Sequence, residues 1–170
     1  KWLWADEDRA DFLGRIYNER YNAEVPRQYD GSHLTFPGMN PHIKFMGHQK
    51  NGVWRYLQSG TILLAHEVGA GKTFECIAIA MEARRLGKAR KPVIIVPKNT
   101  VGQWEKAFRL LYPESNILVP NEDDFAQENR KEYVSRVMTG DWDAVILTHP
   151  QFFRIPVHYQ TEIDYLDEYV

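Results

Sequence analysis

The sequence predicts an α/β domain in which a parallel sheet lies between two layers of helices. Three short apolar runs, TILLA (61–65), VIIV (93–96) and AVILT (144–148), lack the polar–apolar alternation of strands with one solvated face. Stretches with helical spacing separate these runs along the chain. Because apolar strands that alternate with helices form parallel sheets covered on both faces, we expect a three-layer architecture.

A helix and an irregular stretch precede the predicted sheet. Residues 6–22 carry apolar side chains at helical spacing, with charged residues between them. Residues 23–42 lose this periodicity and collect prolines and glycines, which is typical of an ordered loop or linker. We therefore divide the chain into an N-terminal helix with its linker, residues 1–42, and a partial α/β lobe, residues 43–170.

Helix and strand signals alternate from the first apolar run to the end of the chain. The predicted order is strand 61–65, helix 72–86, strand 93–96, helix 101–111, strand 116–119, helix 127–138, strand 144–148 and the start of a helix at 159–170. Gly87 and Gly140 follow two of these helices and are expected to end them. Thr100 precedes another helix and is expected to cap it.

Composition and charge exclude several classes of protein. The 21 Lys and Arg residues nearly balance the 23 Asp and Glu residues, so a polyanionic partner would need a local basic face. The single cysteine, Cys76, rules out an internal disulfide and fits a reducing compartment. No apolar run approaches the roughly 18–20 residues that cross a bilayer, and the first residues lack a signal-peptide pattern. We expect a soluble, cytoplasmic protein without a membrane partner, and the abrupt ends suggest a piece of a longer polypeptide.

The segment HEVGAGKT (66–73) follows the first predicted strand and leads into a predicted helix. It matches the phosphate-binding pattern G-x-x-x-x-G-K-[ST], except that His66 takes the place of the first glycine. Main-chain amides in such a turn surround a phosphate at a helix N-terminus, where the helix dipole also favours negative charge. The residues of this predicted nucleotide site are Glu67, Val68, Gly69, Ala70, Gly71, Lys72 and Thr73.

Two side chains of this segment have the chemistry of a catalytic nucleotide site. Lys72 can reach the β- and γ-phosphates as a point charge, and the hydroxyl of Thr73 is placed to hold Mg²⁺. ATP and Mg²⁺ are therefore the expected cofactors, and a tight strand-to-helix turn without a ligand is the alternative interpretation. A zinc-protease site is excluded, because the second histidine of its motif would stand at position 70, which is Ala70.

The stretch FMGHQKNGVWRYLQSGTILLAHEVGAGKT (45–73) resembles the start of the motor domain in superfamily two helicases, most closely the Swi/Snf-type DNA translocases. In that family, a loop written D-E-M-G-L-G-K-T follows an H-Q or Y-Q pair. The resemblance implies a RecA-like P-loop lobe that binds ATP, in which Gln49 reads the adenine; an ordinary surface glutamine is the alternative. His66 replaces the leading Asp of the family loop, so the role of that Asp is not carried over.

The resemblance also implies that residues after two predicted strands contact nucleic acid. These residues are Lys98, Asn99 and Thr100 in PVIIVPKNTVGQWEKAF (92–108), and Thr148 and His149 in DAVILTHPQFF (143–153). Ordinary capping of the next helix is the alternative for the first group. Trp104 is expected to be buried, and the basic cluster RRLGKARK (84–91) is expected to complement the dipole of a helix end.

A wider resemblance includes the irregular stretch before the motor start. YNERYNAEVPRQYDGSHLTFPGMNP (17–41), followed by this motor start, is similar to the central part of large DNA methylase–helicase fusion proteins of phages and conjugative elements, including antirestriction proteins. The implied partners are duplex or single-stranded DNA and the remainder of the same polypeptide. That remainder would supply a second motor lobe and an adenine-specific DNA methyltransferase.

Parts that such a motor needs for turnover are missing from the sequence. A strand ending in D-E-x-H must hold Mg²⁺ and position water, and arginines of a second lobe must stabilise the transferring charge. Neither NEDDF (121–125) nor LDEYV (166–170) fits that strand. We expect the chain to bind nucleotide without hydrolysing it. The open alternatives are the motor subunit of a restriction–modification system and a non-catalytic, ATP-gated DNA-binding module.

Overall fold

The computed structural model describes residues 2, 5–22, 27–119, 121, 124, 129–153 and 155. The helices are α1 (Glu7–Tyr21), α2 (Gly47–Ser59), α3 (Lys72–Arg85), α4 (Val101–Leu111), α5 (Arg130–Thr139) and α6 (His149–Phe152). The strands are β1 (Val93–Val96), β2 (Ile117–Leu118) and β3 (Ala144–Thr148). Within these ranges, no helix is long and apolar enough to cross a membrane.

The three strands form one sheet in the order β1-β3-β2, and both pairs of neighbours run parallel. Val93 pairs with Val145 at one end of the β1–β3 ladder, and Val96 pairs with Thr148 at the other. The predicted parallel sheet is therefore confirmed, with the predicted bounds for β1 and β3 and a shorter β2. All five residues of β3 are buried, because this strand is paired on both edges and covered on both faces.

Alternate residues of β3 divide the core into two layers. Ala144 and Ile146 lie in a cluster with residues of α3 and α4, whereas Val145 and Leu147 lie in a second cluster with Tyr133 of α5. Successive side chains of a strand point to opposite faces, so helices cover both faces of the sheet. The predicted three-layer arrangement is confirmed.

The run TILLA (61–65), predicted as a buried strand, is not a strand in the structure. Its residues are alternately exposed and half-buried, and the side chain of Leu63 is 84% exposed. A cavity of about 580 Å³ lies between this run and the sheet, lined by Ile62 and Leu64 on one side and by Ile94 and Ile95 of β1 on the other. The prediction was wrong because a strand needs a hydrogen-bonded neighbour, and no described residue provides one here.

Glycines end the helices as expected, whereas the predicted threonine cap is wrong. Gly87, with φ of 71°, donates its N–H to the carbonyl of Arg84, and Gly140 donates to that of Arg136. The hydroxyl of Thr100 instead donates to the carbonyl of Pro97 at 2.8 Å. Residues Lys98–Thr100 form a 3-10 turn, so Thr100 has near-helical angles and its side chain does not reach the first turn of α4.

The irregular stretch after α1 is fastened to two helices. The N–H of Gly31 donates to Asn51 of α2 at 2.9 Å, and Lys50 donates to the carbonyl of Leu34 at 3.0 Å. Farther along, Asn40 donates from its main chain and its side chain to the last two carbonyls of α4. Residues 27–42, which belong to the stretch 23–42 predicted as an ordered loop or linker, therefore form an ordered loop, whereas residues 23–26 lie outside the described residues. The division of the chain after residue 42 stays a prediction. The helix predicted at 159–170 and the first residues of the one predicted at 127–138 lie outside the described residues.

Candidate nucleotide-binding site

The predicted phosphate loop is a tight turn between the run TILLA (61–65), which is not a strand, and α3. Gly69 and Gly71 have φ of 89° and 83°, a left-handed conformation that residues other than glycine rarely adopt. A Cβ atom at Gly71 would also lie 2.3 Å from Nε2 of Gln49. Both glycines of G-x-G-K-T are therefore required by the backbone of this turn.

The N-terminus of α3 faces this turn. The first main-chain hydrogen bond of the helix runs from Glu75 N–H to Gly71 O at 3.1 Å, and the cap residue makes no side-chain bond to the helix. The amides of Lys72, Thr73 and Phe74 precede that bond, so they are the donors that a helix normally offers to a cap or an anion. The chemistry of the turn suits a phosphate group.

The ammonium of Lys72 is folded back onto the loop. It donates to the carbonyls of His66 and Glu67 at 2.8 and 2.9 Å. Both acceptors are neutral carbonyls, whereas a phosphate oxygen carries negative charge and attracts an ammonium more strongly. A phosphate bound in this turn would therefore compete with these carbonyls for Lys72.

Helix α2 holds the loop from the other side through two neighbouring residues. Gln49, only 6% exposed, places Nε2 at 3.3 Å from the carbonyls of both Ala70 and Gly71, while its Oε1 accepts from Met46 N–H. His48 Nε2 lies 3.0 Å from the Ala70 carbonyl; because a carbonyl only accepts, this nitrogen carries the proton. Gln49 is thus a buried loop contact and not an ordinary surface glutamine, and adenine reading by its amide stays a prediction.

Glu75 is a site residue that the sequence analysis missed. Its side chain is fully buried in the first turn of α3, and neither carboxylate oxygen has a hydrogen-bond partner among the described residues. His66 Nε2 lies 3.4 Å from Oε2, an ion-pair distance outside hydrogen-bond geometry. Burial raises the pKa of the Glu75 carboxyl, although His66, His48 and Lys72 act in the opposite direction. A glutamate one turn into an apolar helix gives no local signal of this contact.

The residues predicted to contact nucleic acid lie at one edge of the sheet. Because Val96 pairs with Thr148, the segments that follow β1 and β3 leave the sheet side by side. Lys98, Asn99 and His149 are exposed, whereas Thr148 is 6% exposed and its N–H donates to Gln151 Oε1 at 2.8 Å. The structure brings the two groups together, and their contact with nucleic acid stays a prediction.

The basic cluster at the end of α3 is largely engaged within the protein. Arg84 binds Asp141 and Asp143 at 2.9 and 2.8 Å, and Arg85 binds Glu82 at 2.6 Å. Lys88 and Lys91 donate to main-chain carbonyls of Leu57 and Val137. These contacts hold the end of α3 against its surroundings, and Arg84 and Arg85 lie in its last turn, the place where the sequence predicts that they complement the helix dipole. Trp104, predicted as buried, is only half-buried, because it lines the cavity beside β1.

No cluster of histidine, cysteine and acidic residues suited to a metal ion occurs in the described part of the chain. The loop, the parallel sheet and the covering helices together define an α/β fold of the RecA-like type. The solved structure of the Sulfolobus solfataricus SWI2/SNF2 ATPase core in complex with dsDNA shares this fold, with a TM-score of 0.55 and 21% identity over 71% of this chain and 24% of that one. A second solved structure, of the Sulfolobus solfataricus SWI2/SNF2 ATPase core domain, gives a TM-score of 0.52, with 21% identity over 78% of this chain and 27% of that one.

Comparison with protein families identifies the class more closely. Residues 54–169 match the family described as "Probable helicase domain", so the chain belongs to this helicase family. The chain is 27% identical to Defense against restriction protein B of Escherichia phage P1 over 104 residues, which is 61% of this chain and 5% of that protein. It is 38% identical to a Bacillus subtilis protein named uncharacterized ATP-dependent helicase YqhH over 76 residues, 45% of this chain and 12% of that protein. The chain thus spans only a small part of the curated relatives that it matches.

Proposed function

We propose that this chain is the ATP-binding first part of a helicase or translocase motor. The observation that carries the proposal is the turn before α3, in which Gly69 and Gly71 adopt left-handed angles and direct the chain into an uncapped helix N-terminus. Lys72 lies within reach of the same position. An anion at this place receives main-chain hydrogen bonds, the helix dipole and one full positive charge.

Each residue of the loop has a distinct task in this proposal. The amides from Glu67 to Thr73, including those of Val68 and Ala70, surround the β- and γ-phosphates of ATP, and Lys72 exchanges its carbonyl partners for phosphate oxygens. The Thr73 hydroxyl, in the first turn of α3, holds Mg²⁺, which neutralises charge on the phosphates when it is bound. Gln49, whose amide contacts the carbonyls of Ala70 and Gly71 in the loop, is the proposed reader of the adenine.

Movement along DNA is the proposed use of this ATP site in the whole protein. The Sulfolobus relative was solved with double-stranded DNA, and YqhH is named an ATP-dependent helicase. In this chain, Lys98, Asn99 and His149 are exposed at the edge of the sheet where parallel strands end, and Thr100 and Thr148 lie beside them. Amide, hydroxyl and cationic groups are the usual donors to nucleic-acid phosphates. We assign these residues to contact with the DNA backbone.

The larger context is a DNA methylase–helicase protein of a mobile element. The likeness to Defense against restriction protein B and the resemblance of residues 17–41 to such fusion proteins support it. The chain by itself should bind nucleotide without turnover, because its sequence carries no D-E-x-H strand and no second lobe.

A titration with a fluorescent ATP analogue and Mg²⁺ tests the proposed site. The protein should bind the analogue, and Lys72→Ala should reduce binding below detection, because the loop loses its only full positive charge directed at the phosphates. Lys106→Ala, which removes an exposed lysine of α4, is the matched control and should bind as the unmodified protein does. Unchanged affinity in Lys72→Ala would contradict the assignment.

A further inference from the structure

The burial of Glu75 is unfavourable unless something compensates for it. Its carboxylate is fully buried, with both oxygens lacking hydrogen bonds in the described part of the chain. A buried carboxylate without partners loses its hydration and gains little in return. Buried groups of this kind are uncommon in proteins, and they often have a function in a nearby site.

The packing around this carboxylate is built to hold it. A Cβ atom at Gly52, inside α2, would lie 1.6 Å from Glu75 Oε1 and 3.3 Å from a methyl group of Leu64. A side chain at position 52 would have to push the Glu75 carboxylate out of this place between α2 and α3, so the observed packing uses glycine, although glycine weakens the interior of a helix. The buried position of Glu75 therefore goes together with a glycine that lowers the stability of α2.

His66 connects this carboxylate to the phosphate loop. Its Nε2 faces Glu75 Oε2 at 3.4 Å, and its main-chain carbonyl accepts a hydrogen bond from Lys72 Nζ at 2.8 Å. Its ring also lies against that of His48, with 5.2 Å between the centroids, and His48 contacts the carbonyl of Ala70 in the same loop. His66 thus contacts both the buried carboxylate and the ammonium of Lys72.

We propose that Glu75 is a positioning residue for nucleotide binding, which acts by holding the side chain of His66 and thereby the start of the phosphate loop. The proposal rests on the nucleotide site proposed above. His66 stands where the loop pattern has its first glycine. A glycine permits the turn because its backbone is conformationally free. His66 instead holds the turn in place through the contact of its side chain with Glu75 in α3. Preorganised loops bind more tightly because less freedom is lost on binding.

The proposal predicts that restoring the first glycine of the loop pattern weakens nucleotide binding. His66→Gly restores the missing glycine of the pattern but removes the attachment to Glu75, so we expect it to weaken affinity for a non-hydrolysable ATP analogue about tenfold. In a protein that already carries Glu75→Gln, the attachment is weakened beforehand. There, His66→Gly should cost less than about twofold, which makes the two substitutions non-additive.

Glu82 supplies the matched control for the carboxylate. It is also buried on α3, at 1% exposure, but its partner is Arg85. In a protein that carries Glu82→Gln, His66→Gly should still cost about tenfold. His66→Gln, whose amide can donate to the same carboxylate, should retain affinity within about threefold of the unmodified protein. Melting temperatures of all variants show whether each is folded during the titration.

The outcomes separate this inference from the proposed function. The positioning role is supported if His66→Gly lowers the affinity for the analogue strongly in the protein that keeps Glu75 and only slightly in the protein that carries Glu75→Gln. His66→Gln must also retain affinity. The positioning role is overturned if His66→Gly lowers the affinity equally with and without Glu75→Gln, or if His66→Gly and His66→Gln bind equally weakly. The proposed nucleotide site stands in either case. If the unmodified protein binds no nucleotide, the proposed function and this inference both fail.

Discussion

Two runs of nearly the same composition adopt different structures in this molecule. TILLA (61–65) and AVILT (144–148) each contain threonine, alanine, isoleucine and leucine. The second is a fully buried central strand, whereas the first is an uncovered segment in which Leu63 is 84% exposed. The difference lies in the neighbours, since β3 is paired on both edges and packed on both faces. Local composition shows that a segment is able to form a strand, and hydrogen-bonded pairing with neighbouring strands decides whether it does.

The largest effect on stability should come from truncating the central strand. Ile146 is fully buried in the core between β3 and the helices α3 and α4. Ile146→Ala should lower the free energy of unfolding by about 2–5 kcal/mol, because it removes apolar contacts and leaves a cavity. Chemical denaturation followed by circular dichroism measures the change.

The matched control is the same kind of truncation in the other run. Leu63→Ala should change the free energy of unfolding by less than about 0.5 kcal/mol, since the side chain is largely solvated. Similar losses for the two variants would mean that TILLA is buried in solution, and the contrast between the runs would be wrong.

A smaller effect is expected where α2 meets α3, beside the uncovered run. Gly52→Ala should destabilise the protein by about 1–3 kcal/mol, because the new methyl group would collide with the Glu75 carboxylate. Gly14→Ala in α1 is the control, as no described atom outside the neighbouring residues and the helix's own backbone lies within 4 Å of its Cβ position. This variant should gain up to about 1 kcal/mol from the better helix propensity of alanine. Thermal unfolding compares the two, and equal shifts would contradict the close packing at Gly52.

Much of the fold could be predicted from the sequence because its signals are local. The bounds of α4 follow from the helical spacing of its apolar residues, those of β1 and β3 follow from uninterrupted apolar runs, and the end of α3 follows from Gly87. The fate of TILLA could not be predicted, because strand pairing depends on residues far along the chain. The structure also contains α2, for which the sequence analysis named no helix, although Val53 and Leu57 have helical spacing there.

The candidate site divides in the same way. The two glycines and Lys72 form a contiguous pattern, so the sequence predicts where the loop is and the structure supplies its turn. Glu75 and His48 belong to different helices, and their meeting at His66 follows from the packing of α2 on α3. No spacing rule along one segment predicts such a contact, since it depends on tertiary packing.

The most direct test of the account is the backbone ¹H–¹⁵N NMR spectrum of the protein, recorded with and without a non-hydrolysable ATP analogue and Mg²⁺. We expect the amide signals of Gly69, Gly71 and Thr73 to shift on addition of the analogue, because these N–H groups would gain phosphate acceptors. The signals of β3, at the centre of the sheet, should stay in place. Stationary loop signals at saturating analogue, or shifts confined to residues far from the turn before α3, would contradict the claim that this loop binds a triphosphate.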